Sequence, residues 1–102
     1  MRAFANDTQL AVLQVLSQQH LPTLRIIPAV EKLTEGRIRI STSAIYTVLR
    51  RMEHAGLIKG EYRNEDQDRR RGHPRRYYRI TGEGQRRRDG VHALLEAGWI
   101  GA

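Results

Sequence analysis

The sequence predicts a mainly α domain carrying one small β-hairpin, and three observations lead there. Apolar residues recur at helical spacing in four segments. Two late segments alternate with period two around a charged loop. Capping residues and glycines fall at the boundaries between segments. The chain has 102 residues, enough for one domain and not for two.

A first helix is expected over residues 7–19. Asp7 or Thr8 can cap it, Leu10, Leu13 and Leu16 give the period, and Ala11, Val12 and Val15 widen the apolar face. It stops before Pro22. Thr23 is placed to cap a second helix reaching about residue 34, with Ile26, Ile27, Val30 and Leu33 on its apolar side. Pro28 has no amide hydrogen to donate to Leu24, so this helix either kinks at Pro28 or begins there. Gly36 ends it. Arg37, Ile38, Arg39 and Ile40 alternate and predict a short strand. Ser41 caps a third helix reaching residue 55, buried along Ile45, Val48, Leu49 and Met52, and Gly56 supplies a left-handed C-terminal cap. Residues 57–63 form a strand with Ile58, Gly60 and Tyr62 on one face. Residues 64–74 form a polar loop, and residues 75–80 a second strand with Tyr78 and Ile80 on one side. Thr81 caps a last helix to residue 97, weakened by Gly82, Gly84 and Gly90. Helix, helix, strand, helix, strand, loop, strand, helix is the order of a winged helix-turn-helix domain.

Charge gives that architecture a partner. The net charge is +7. Between Arg50 and Arg88 lie thirteen basic residues, all but one of them Arg, against six acids, so the whole excess sits there. A localised basic region points to a polyanion, nucleic acid first. The exposed side of the third helix carries Thr42, Tyr46 and Arg50 in one line with Ser43, Thr47 and Arg51 beside it, and no acid before Glu53. Ser41, Thr42 and Ser43 are small enough at a helix start to let phosphates approach the backbone. Arg50 and Arg51 can reach guanine edges in a major groove. Tyr46 either contacts DNA or leans onto the core. Arg69, Arg70, Arg71, His73, Arg75 and Arg76 crowd the hairpin, where a minor groove or phosphates would receive them. Residues 1–80 therefore read as a DNA-binding unit, and residues 81–102 as a dimerisation helix of the same compact body. Val91, Leu94, Leu95 and Trp99 of that segment, with Leu10 and Leu13 of the first helix, are the expected dimer interface, and packing of the last helix on the chain's own first helix is the alternative.

Other classes find little support. No run approaches the roughly 18 apolar residues of a membrane span, and the N-terminus lacks the apolar core of a secretory signal, so a cytoplasmic protein without a membrane partner is expected. The chain has no cysteine, which removes disulfides and thiolate metal sites. His20, His54, His73 and His92 are scattered, and no nucleophile motif or phosphate-cradling glycine loop is present. No enzyme, metal or cofactor is expected. The rival is a winged helix that binds RNA or another protein. Duplex RNA has a deep, narrow major groove that would not admit the third helix.

Residues 41–60, STSAIYTVLRRMEHAGLIKG, and residues 72–84, GHPRRYYRITGEG, resemble the PadR family of transcription regulators. The resemblance rests on Ser41, Ile45, Tyr46, Leu49, Arg50, Arg51, Met52 and Glu53, on Gly56, Leu57 and Ile58, and on Gly72, Pro74, Arg75, Arg76, Tyr77, Tyr78, Thr81 and Gly84. It implies a homodimeric repressor that reads double-stranded DNA, at a pseudo-palindromic operator, with the third helix and the wing. It further implies a C-terminal helix packed on the partner's first helix, and a response to small aromatic or lipophilic effectors. The chain departs from the family at the turn His20-Leu21-Pro22-Thr23, at Pro28 and at Ser43-Ala44. Its length fits the short form with a single C-terminal helix.

Overall fold

A computed structural model describes residues 7–63 and 75–98. In chain order they form α1 (Asp7–Leu16), β1 (Leu21–Pro22), α2 (Thr23–Leu33), α3 (Thr42–His54), β2 (Ile58–Arg63), β3 (Arg75–Ile80) and α4 (Gly82–Glu96). The strands make one antiparallel sheet in the order β1-β3-β2. Three helices and the base of this sheet enclose the core: Val12, Leu13 and Leu16 from α1, Ile26 and Val30 from α2, Ile45, Leu49 and Met52 from α3, with Leu57, Ile58 and Tyr78 closing it. Among the described residues no helix is long and apolar enough to cross a membrane.

The ends of α3 are set by local chemistry. The Ser41 side chain accepts from the Ala44 amide at 3.1 Å, an N-cap contact that contributes about 1 kcal/mol. At the other end Gly56 has φ +80°, the left-handed region that only glycine enters without strain. The Leu57 amide donates to the Met52 carbonyl and the Gly56 amide to that of Glu53, the paired bonds of a Schellman cap. The chain leaves α3 directly into β2. Thr81 then ties the far end of the hairpin to this turn. Its hydroxyl donates to the Gly56 carbonyl at 2.6 Å and accepts from the Gly84 amide at 3.0 Å. Gly84 is buried so closely under the turn that an added Cβ would overlap the Leu57 carbonyl oxygen.

Several expectations need correction. Pro28 does not start α2: the helix is continuous from Thr23 to Leu33 with Pro28 inside it, and Pro28 is exposed. The N-cap is Pro22, not Thr23, and no side chain caps the helix. Residues 37–40 are not a strand. The Ile38 amide donates to the Thr34 hydroxyl at 3.0 Å, so this backbone is satisfied locally, while Ile40 is buried against the core. The third strand is β1 instead, where Leu21 and Pro22 pair with Tyr78 and Tyr77. The polar loop expected over residues 64–74 lies outside the described residues.

Of the two alternatives left open for α4, packing on the chain's own first helix is present in part. Arg88 donates to Gln14 of α1 at 2.7 Å, so the helix packs on its own chain near its start. Further along, Leu94 is 42% and Leu95 45% exposed. Leu13, expected at a dimer face, is spent inside its own core at 1% exposure. Leu10 and Val91 are half-buried and border an apolar groove of about 480 Å³ with Leu33, Ile38 and Leu95. Trp99 lies outside the described residues.

Candidate nucleic-acid interface

The exposed side of α3 is as the sequence predicts. Ser41, Thr42, Ser43, Tyr46, Thr47, Arg50 and Arg51 are all exposed, because Ile45, Leu49 and Met52 take the opposite side into the core. Tyr46 is 49% exposed and does not fold onto the core. Beside it lies a groove of about 620 Å³, bordered by Leu24 and Arg25 of α2, Tyr46 of α3, Tyr62 of β2 and Arg75 and Arg76 of β3. The third helix and the hairpin therefore open toward the same side of the molecule.

The hairpin changes character along its length. In register, Ile58 faces Ile80, Gly60 faces Tyr78 and Tyr62 faces Arg76. Side chains two apart share a face, so this face is buried at its base, through Ile58 and Tyr78, and emerges at Tyr62, which is 66% exposed. The opposite face is charged except at Tyr77. Glu61 lies 3.8 Å from Arg63 and 3.9 Å from Arg79. Arg63 stacks over Tyr77 and bonds to His20 Nδ1 at 2.7 Å.

Arg75 and Arg76 are the two described wing residues expected to touch DNA. Arg75 is exposed. Arg76 is half-buried and committed within the protein. Its Nη2 donates to Glu53 Oε2 at 2.7 Å and its Nε to the Tyr78 hydroxyl at 3.0 Å. Its guanidinium also lies 5.0 Å from the Tyr62 ring centre and 5.4 Å from that of Tyr78, within cation–π range. The Tyr78 hydroxyl and the Glu53 carboxylate hold this guanidinium charged, above its ordinary range, against the opposing cost of burial. Arg69, Arg70, Arg71 and His73 lie outside the described residues.

Sequence reasoning missed Arg25, Tyr62 and Glu53. Arg25 is exposed in the first turn of α2 and forms no ion pair among the described residues. The one signal for it was a basic residue beside the turn that leads to α3. Tyr62 could have been found as the outermost member of the period-two pattern. Glu53 ends the α3 stripe seven residues after Tyr46, again on the same face. Arg86 pairs with Glu83 at 2.7 Å, and Arg88 bonds to Gln14 and Asp89. Among the described residues no group of acids and histidines could hold a metal ion.

Four helices, a three-stranded sheet and a basic, hydroxyl-rich third helix beside a hairpin define a winged helix-turn-helix protein. The chain belongs to the transcriptional regulator PadR-like family, whose model matches residues 12–89. Solved structures agree with the assignment. A PadR family regulator from Eggerthella lenta is 31% identical, with 84% of this chain and 71% of that one covered and a TM-score of 0.61. A transcriptional regulator from Clostridium thermocellum is 24% identical over 88% of this chain and 83% of that one, at a TM-score of 0.70. PadR from Bacillus subtilis, solved in complex with operator DNA, is 16% identical, with 84% of this chain and 46% of that one covered and a TM-score of 0.71. The last two share the fold, and the chain spans less than half of the Bacillus protein. No curated protein matches the sequence. The family is one of transcription regulators, not of enzymes.

Proposed function

We propose that this protein is a sequence-specific, duplex-DNA-binding repressor that acts in the cytoplasm as a homodimer on a pseudo-palindromic operator. The observation that carries the reading is the common direction of the α3 stripe, acid-free from Ser41 to Arg51, and the hairpin around the groove between Arg25, Tyr46 and Arg75. A helix of this size fits a major groove, with Arg50 and Arg51 placed to reach guanine O6 and N7. The hydroxyls of Ser41, Thr42, Ser43 and Thr47, together with Arg25, Tyr62 and Arg75, are suited to phosphates. Arg69, Arg70, Arg71 and His73 extend the same charge by sequence alone. The Bacillus protein of the same fold was solved in complex with operator DNA, which supports DNA as the partner proposed here.

Residues 1–80 are the reading unit in this proposal, and residues 81–102 join two copies. The exposed Leu94 and Leu95, with the half-buried Leu10 and Val91, favour burial against a second chain. Two reading units on one face of a duplex would sit about 34–36 Å apart, one helical turn. The apolar groove beside α4, at about 480 Å³, falls in the size range of small-ligand sites and is where a small aromatic or lipophilic effector would lodge.

Selection from a pool of random duplexes tests the proposal. An enriched inverted repeat is expected, together with binding to duplex DNA that far exceeds binding to duplex RNA. Equal affinity for the two duplexes would favour an RNA-binding winged helix. Retention of neither would favour a protein-interaction module.

A further inference from the structure

We propose that Glu53 is a positioning residue for DNA recognition, locking the third helix to both strands of the wing so that the two meet a duplex in one fixed geometry. The inference rests on the DNA-binding reading above and assigns a role that the reading itself does not need. Glu53 lies in the last turn of α3, on the same line as Tyr46 and Arg50. A lone acid there would repel phosphate, so its position calls for a reason. Its Oε2 accepts from Arg76 of β3 at 2.7 Å and from the Gly60 amide of β2 at 3.2 Å. One carboxylate oxygen thus joins the helix to both hairpin strands.

The arginine it holds has little freedom. The Arg76 guanidinium is fixed by Glu53, by the Tyr78 hydroxyl and by the faces of Tyr62 and Tyr78. The Glu53 side chain is 32% exposed and that of Arg76 29%, so solvent screens the pair less than it would an open surface pair. Gly60 makes the space. A Cβ at that position would come within 2.7 Å of both Arg76 Nε and the Tyr78 ring. Acid, arginine, glycine and two tyrosines act as one joint, and Tyr62, its outer member, borders the groove beside Tyr46.

Charge alone and positioning predict opposite signs for one substitution, which makes the test clean. Affinities of the unsubstituted chain, Glu53→Gln and Gly60→Ala would be measured for the duplex enriched by selection and for a scrambled duplex. A circular dichroism melt would confirm that each variant is folded at the assay temperature. If Glu53 were only an acid near phosphate, Glu53→Gln would tighten binding to both duplexes alike. As a positioning residue, its loss is expected to weaken the enriched duplex about tenfold while the scrambled duplex is held as well or better. Gly60→Ala changes no charge and is expected to lose the same discrimination. An unchanged ratio of the two affinities in both variants would overturn the role of Glu53. Failure of the unsubstituted chain to bind any duplex would overturn the regulator reading, and this inference with it.

Discussion

At Gly84 and Gly90, one substitution has two opposite consequences within a single helix. Gly84 is buried beneath the turn between α3 and β2, where an added methyl meets the Leu57 carbonyl and crowds the Ile80 side chain. A backbone atom cannot rotate away, so Gly84→Ala is expected to destabilise the fold by about 1–3 kcal/mol. Gly90 lies in the interior of α4 with nothing within 4 Å of an added Cβ. Gly90→Ala removes freedom from the unfolded chain without a clash and is expected to stabilise by about 0.5–1 kcal/mol. Urea denaturation of the two variants checks both signs. The sequence makes all the α4 glycines look like helix weakeners. Helix propensity does not mark Gly84 as different, and only the family resemblance sets it apart, because its neighbour Leu57 lies in a distant part of the chain. The same distance hides the Glu53–Arg76 bond, whose partners are separated by 23 positions. Arg76 consequently reads in sequence as one more open arginine of a crowded hairpin.

Whole elements were legible where their signals are short-range. For α3, the cap at Ser41, the apolar stripe through Ile45, Leu49 and Met52, and the left-handed Gly56 all act within a few residues of one another, and the structure follows them closely. The hairpin strands follow their alternation for the same reason. β1 has no such signal: two residues show no period, and their strand character comes only from pairing with Tyr77 and Tyr78. The alternating residues 37–40 mislead in the other direction, because alternation describes burial of Ile40 and half-burial of Ile38 and does not itself supply a pairing strand. α2 holds a conflict that the chain tolerates. Pro28 sits inside it and cannot donate to the Leu24 carbonyl. Pro28 is exposed, so its replacement sacrifices no core packing. Pro28→Ala restores the missing bond at some cost in unfolded-state entropy. It is expected to stabilise the protein by a net of about 1–2 kcal/mol, read as a higher denaturation midpoint with an unchanged slope.

At the scale of the whole molecule, the fold divides its surface into two sides with different chemistry. One side gathers hydroxyls, phenols and arginines from α2, α3 and the wing around the groove at Tyr46. The other gathers apolar side chains from α1, the end of α2 and α4. Periodicity revealed the membership of each helix face, and the charge count pointed to a basic surface suited to a polyanion. That α2 contributes Arg25 to that surface, and that the wing is braced by Glu53, emerged only once the elements were packed. The central claim is that a single duplex is held by the first of these sides alone. Amide chemical shifts followed by NMR during titration with the enriched duplex test it most directly. The account predicts that the largest changes fall on residues 41–51, on Arg25, and on residues 60–63 and 75–77, with α1 and the second half of α4 nearly unmoved. Changes centred on Leu10, Val91 and Leu95, with the α3 stripe silent, would contradict it.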